Sequence, residues 1–257
     1  MMNLVKAELK KILIKKSVLV LWGLILAFGA VLIRNFEVLE TYADIFSKIE
    51  GTIPLIGLVM FIVISGNYTK EYESNMVGLI NTTKNGKKYI AIAKAIAGGI
   101  SLSLINVSFA LVVGLRGFAF EEFKNLDEPI KNLWYFGNSG SEITVLQMYL
   151  IVIASIILGS FLFAQIGLTL SSAFKSSAIP FILGGAIMAI PFFIQESVSK
   201  AAVNFIALTP NWIMMSQLMV RHQVPSMYIV LAIVLAIILI IILPIIAYKN
   251  FTNSKRA

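Results

Sequence analysis

The stretch TKEYESNMVGLINTTKNGKKYIAIAK, residues 69–94, holds seven of the chain's 34 formal charges and is flanked by apolar runs long enough to cross a bilayer. Charges and unpaired backbone groups are too costly in hydrocarbon for such a segment to lie within it. It therefore marks a polar connection on one face of a membrane protein. Across all 257 residues, 58% are hydrophobic and 13% are charged, whereas about a quarter are charged in a soluble domain. Runs approaching the ~20 residues needed to span a bilayer fall at 17–33, 52–68, 89–115, 146–174, 178–194 and 227–248. The expected fold is a single all-α integral membrane domain over 1–257 with six transmembrane helices.

A cleavable signal would also begin with lysines before an apolar stretch, with Ala27-Phe28-Gly29 as a weak cleavage-like triplet. No polar mature sequence follows it, so the first span reads as a retained anchor. With the N-terminus placed in the cytoplasm, inner segments hold 14 of the 21 basic residues against three acids. Outer segments hold seven bases against ten acids. This is the positive-inside bias, and it places both termini in the cytoplasm. The basic balance thus reports topology, and no nucleic-acid partner is implied.

Within residues 4–16, Val5, Leu9, Ile12 and Leu13 follow one helical stripe, with Glu8, Lys10, Lys11 and Lys15 expected on other faces. Such a helix lies at the headgroup level, lysines toward anionic lipid. The polar connection 116–145 is an outer loop. Residues 195–226 form another outer region, in which 201–219 is apolar but broken by Thr209, Pro210 and Asn211. A re-entrant or interfacial pair of short helices fits there, with Trp212 at the membrane interface.

Chemistry is sparse. Cysteine is absent and His222 is the only histidine, so no zinc set of the usual kind is available. Glu121, Glu122, Asp127 and Glu128 read as a solvated acidic surface. No metalloprotease or serine-hydrolase motif occurs, and serines such as Ser101, Ser103, Ser108, Ser155 and Ser160 suit helix packing. NTTKNGKK (81–88) lacks the first glycine and the Ser/Thr of a nucleotide-binding loop. The chain is thus not expected to be an enzyme or to hold a cofactor. The deep polar residues are mainly Asn106 and Gln165, while Lys94 is expected to snorkel to the cytoplasmic face. Few groups can couple to ions.

In 69–88 the apolar patch Met76, Val77, Leu79 and Ile80 follows Glu71 and Glu73, and Asn85-Gly86 is a helix stop. Lys87, Lys88 and Lys94 lead into the next span. A short helix of this kind suits a groove on a soluble partner or a lipid surface.

The layout resembles permease subunits of the type-two ATP-binding-cassette export superfamily, in the branch with bacitracin-resistance and lantibiotic-immunity permeases. Glu71, the apolar turn at Leu79 and Ile80, Lys87 or Lys88, and Lys94 match family positions; LTPNW (208–212) is similar to its re-entrant segment. Asn75-Met76 and KNG depart from the family pattern. The resemblance implies a cytoplasmic coupling helix carrying Glu71, Glu73, Met76, Val77, Leu79, Ile80, Lys88 and Lys94, with Phe174 and Lys175 as a minor contact. It implies a cavity with Asn106 and Gln165 as candidate lining, and a re-entrant element with Pro210 and Trp212. It also implies a second permease copy or paralogue, and a separate ATPase subunit that binds ATP and Mg. Localisation would be the bacterial plasma membrane. The apolar spans suggest an amphipathic or lipid-like cargo, such as a lantibiotic-type bacteriocin or a phenol-soluble-modulin-like toxin. The alternative is a non-transporting sensor or assembly factor that docks a partner through 69–94; an ion-coupled carrier ranks lowest.

Overall fold

The computed structural model describes residues 1–35, 40–73, 86–137, 139–197 and 199–253. Its elements are α1 (Met2–Leu13), α2 (Lys16–Asn35), α3 (Thr41–Gly51), α4 (Ile53–Ile64), α5 (Thr69–Glu73), α6 (Gly86–Phe120), α7 (Val145–Ala173), α8 (Ala178–Ile194), α9 (Lys200–Ile206), α10 (Pro210–Met214), α11 (Ser216–Arg221) and α12 (Ser226–Asn253). No strand occurs among the described residues; Pro129 and Thr144 make one isolated bridge. Five segments are long and apolar enough to cross a membrane: Lys16–Ile33, Ile53–Tyr72, Gly86–Phe120, Val145–Ala173 and Ser226–Thr252. Ala178–Ile194 is a shorter apolar helix. The outer faces match a lipid solvent. On α12, Val230, Ile233, Ile237, Ile241 and Ile245 are all exposed, far more contiguous apolar surface than water tolerates. The chain is a membrane-embedded helical protein.

The antiparallel pair α6–α7 forms the centre. Its contacts run in register: Tyr149 donates to the Ala110 carbonyl at 2.9 Å, Asn106 to Ser160 at 2.9 Å, and Gln165 to the Ala95 carbonyl at 3.0 Å. Glycine sets how close the pair can come. A Cβ on Gly99 would meet the Phe161 ring at 2.3 Å, so only a hydrogen there lets that ring lie on the helix. The start of α7 is fixed by a capping box, in which Thr144 and Gln147 satisfy each other's backbone N–H.

Around this pair, α2 lies on α6, with the Trp22 indole donating to Ser108 at 2.8 Å. Thr169 of α7 donates to the Leu243 carbonyl of α12 at 3.1 Å. Met188 of α8 sits over Gly57 of α4. The stripe on α1 is as the spacing requires, with Val5 and Ile12 buried and Leu9 and Leu13 against the core. Glu8 and Lys11 differ from expectation. Positions 5, 8 and 12 share one face at 3.6 residues per turn, so Glu8 points into the bundle, and Lys11 follows it.

Two polar ends emerge. At one, here the Lys94 end, α1, the 64–73 joint, the start of α6, the close of α7 and Phe251 of α12 meet. At the other, the Glu50 end, α3, residues 121–137 and 139–144, Gln195 and α11 meet. Lys48 donates to the Leu32 carbonyl at 3.0 Å, which brings the close of α2 to the Glu50 end. Helix α8 starts just past α7 at the Lys94 end, and Gln195 beyond it donates to Glu50 at 2.9 Å. It therefore joins the two ends despite its 17 residues.

Residues 41–51, which the hydropathy pattern leaves without an element, form a helix whose Tyr42, Ile45, Phe46 and Ile49 are buried. Residues 201–219 hold three short helices, with Pro210 at the first turn of α10, where its missing N–H costs nothing. This region packs into the bundle. Ser155 of α7 donates to the Met214 carbonyl at 3.0 Å, Ser216 donates to Ser155 at 3.0 Å, and Gly159 faces Met214. Those contacts lie ten and more residues along α7 from its Glu50-end start, a depth of about 15 Å or more at ~1.5 Å per residue.

Candidate functional site

Lys94 organises the first site. It lies more than two turns into α6 and its side chain is 1% exposed. The ammonium reaches Glu71 at 2.8 Å, Glu8 at 3.1 Å and the Asn67 carbonyl at 2.9 Å, and it stands 5.3 Å from the centre of the Tyr68 ring. Burial of an ammonium is tolerable only with this degree of pairing. The expected snorkelling is therefore corrected: two carboxylates, brought by α1 and α5, hold the lysine inside. Lys11 lies 3.0 Å from Glu71 and 3.8 Å from Glu8, so two cations face two anions. Partial burial pulls the Lys11 ammonium down, but Glu71 and then Glu8 outweigh it and hold it above the usual lysine value.

Aromatic and hydroxyl contacts widen the cluster. Ser171 accepts from the Tyr68 backbone N–H at 3.0 Å, and Tyr72 donates to the Ser172 carbonyl at 3.2 Å. Phe251 packs 5.2 Å from Tyr68 and 5.9 Å from Tyr72, ring centre to ring centre. Lys87 stands 5.9 Å over Phe251, and Asn250 donates to Ser172 at 3.2 Å. Five elements, α1, α5, α6, α7 and α12, are thereby tied together at this end.

Of the predicted coupling residues, Glu71 and Lys94 are brought together. Lys88 is exposed on the first turn of α6. Met76, Val77, Leu79 and Ile80 lie outside the described residues, and Glu73 is described only as the last residue of α5. Phe174 and Lys175 form the turn after α7, with Lys175 exposed.

Asn106 and Gln165 are both buried between helices. Asn106 also lies 3.0 Å from the Met60 sulfur. Asn106 Oδ1 and Gln165 Oε1 have no hydrogen-bond partner. Within one chain these residues are interhelical contacts. Trp212 is also buried, with its ring centre 5.1 Å from that of His222. The turn after Pro210 directs it into the protein.

At the opposite end is a network that sequence reading missed. Glu50 is buried and accepts from Tyr135, from Gln195 at 2.9 Å and from Arg221 at 3.1 Å. Arg221 also lies 4.8 Å from the centre of the Tyr135 ring. Burial first, and then the negative charge of Glu50, push the Tyr135 hydroxyl well above the usual tyrosine value. The acidic cluster resolves into local partners. Glu121 accepts from Thr41 and Glu122 pairs with Lys124. No grouping suited to a metal occurs among the described residues.

Comparison with protein-family models, curated proteins and solved structures finds no match to this chain. The functional reading therefore rests on the geometry and on the sequence resemblance.

Proposed function

We propose that this chain is the transmembrane subunit of an ATP-binding-cassette exporter that moves an amphipathic or hydrophobic peptide with a separate ATPase subunit. The observation that carries the reading is the Lys94–Glu71–Glu8 cluster. It fastens the flanks of segment 74–85 to α1 and to the body of the bundle. A push on that segment would reach α1, α5 and α6 together, because separating a buried charge from its partners costs several kcal/mol. This is what a coupling element needs: flanks with a stiff root.

In this reading the Lys94 end is cytoplasmic, both termini lie there, and α8 is the sixth span of a bacterial plasma-membrane protein. Helices α9–α11 form the outer re-entrant region. A second permease copy or paralogue completes the pathway, with Asn106 and Gln165 turned toward cargo in another state of the cycle. The cargo is a bacteriocin, lantibiotic or phenol-soluble-modulin-like peptide; ATP and Mg bind on the partner subunit.

The test is isolation of the tagged chain from its native membrane in mild detergent, followed by mass spectrometry and ATPase assay. Recovery of a cassette ATPase is expected. Its loss is expected when Met76, Val77 and Ile80 are together changed to Asp, with membrane insertion intact. Recovery of a different cytoplasmic partner through 69–94, and no ATPase, would favour a sensor or assembly factor instead.

A further inference from the structure

Helix α6 carries two cations with opposite fates. Lys94 is enclosed by carboxylates, whereas Arg116 is exposed beside Leu115 and Phe120, which are also exposed. No charged residue stands between the two. They are 22 positions apart, about 33 Å at ~1.5 Å per residue, close to the ~30 Å of a bilayer's hydrocarbon core. Arg116 directly follows the apolar run 89–115 and so falls where that run ends on the Glu50 side, at the level where a phosphate headgroup would stand. Among the described residues no carboxylate pairs with Arg116; the other arginine whose side chain is described, Arg221, is paired with Glu50. Beside it opens a groove of about 330 Å³ lined by Ile33, Arg116, Ala119 and Phe120. Its walls come from two neighbouring helices, with the cation among apolar surfaces.

We propose that this groove is a binding site for a net-anionic glycerophospholipid. The Arg116 guanidinium holds the phosphodiester, and the glycerol and first acyl carbons lie against Ile33 and Phe120. A guanidinium matches two phosphate oxygens at once. A monoanionic headgroup leaves the pair neutral, while a zwitterionic one brings a second cation that Arg116 repels. The apolar walls select a lipid over a soluble phosphate, which has nothing to place against them. With Lys94 clamped at the opposite boundary, such a lipid would fix the depth of α6 in the membrane. This inference is independent of the exporter reading, since it needs neither an ATPase nor a cargo.

The experiment uses the full chain in nanodiscs containing equal phosphatidylglycerol and phosphatidylcholine, with retained lipid read by native mass spectrometry. Preferential retention of phosphatidylglycerol is expected, reduced about tenfold or more in Arg116→Gln, as for loss of a charge-assisted pair, and only partly reduced in Arg116→Lys. Lys124→Gln, at an exposed cation of the same end, should leave retention unchanged. Wild-type protein should also unfold at a higher temperature in phosphatidylglycerol discs than in phosphatidylcholine discs, a readout that stands even if Arg116→Gln fails to fold. Equal retention of both lipids by the wild type, equal loss in Lys124→Gln, or displacement of the lipid by inorganic phosphate would overturn the proposal.

Discussion

The two ends of the bundle solve the same problem with opposite charges. At one, a buried lysine is surrounded by carboxylates; at the other, a buried glutamate is surrounded by donors. They differ in how closed they are. The cation at the centre of the first, Lys94, is 1% exposed, with the 44% exposed Lys11 at its rim, whereas the cation opposite Glu50, Arg221, is itself 30% exposed. A cation that keeps contact with water loses less when its partner is removed. The Lys94 end is thus built as a rigid joint, the Glu50 end as a clasp that can yield.

The sharpest way to break this contrast is Lys94→Leu. It leaves Glu8 and Glu71 facing each other in a dry site, and removing one member of a buried pair costs about 3–5 kcal/mol. A large drop in thermal unfolding temperature in detergent is expected, with α1 becoming cleavable by protease. The added change Glu71→Leu should recover much of the loss, because Glu8 then retains Lys11. A Lys94→Leu protein as stable as the wild type would show that the cluster is not a structural joint.

Gly159→Ala comes next. The new Cβ would meet Met214 Cβ at 2.3 Å and its Cα at 2.7 Å, so backbone must move. Overpacking of this kind costs about 1–3 kcal/mol, and cysteine accessibility across α10 and α11 should rise, while Ala at the unobstructed Gly185 leaves it unchanged. Glu50→Gln probes the clasp more gently. It keeps the shape and removes the charge opposite Arg221 and Tyr135, at a cost of about 1–3 kcal/mol. Cross-links between position 195 and α11 should become less efficient, with little change at the Lys94 end.

These sites differ in how legible they were. The helical class, five of the six expected spans and the α1 stripe follow from hydropathy and periodicity, which are local properties. Lys94 and Glu71 stand out as charges at the edge of apolar runs. Lys94 pairs with Glu8 86 positions away and Glu71 with Lys11 60 positions away, and no spacing rule connects residues at such distance. Glu50 was less visible still. Its partners lie 85, 145 and 171 positions away, and an acid before a span reads as an ordinary loop charge.

The smallest expected effect concerns Lys11, the half-exposed member of the Lys94 cluster. Its folded-state pKa lies above the ordinary value of 10.5, after burial is outweighed by Glu71 and Glu8. A raised value means that the folded state holds the proton more tightly than the unfolded one. Stability from Lys11 is therefore present in full below about 10.5 and lost as pH rises through the folded value. A fluorophore on the exposed face of α1 should report progressive release of that helix above about pH 10.5, and the change should be shallower in Lys11→Met. Because 44% of the Lys11 side chain is exposed, salt should weaken the effect. By the same argument salt should barely move the consequence of Lys94→Leu, since the lysine removed there is shut away from ions. If salt affected both variants equally, the enclosed lysine and the half-exposed lysine of this cluster would no longer be distinguishable.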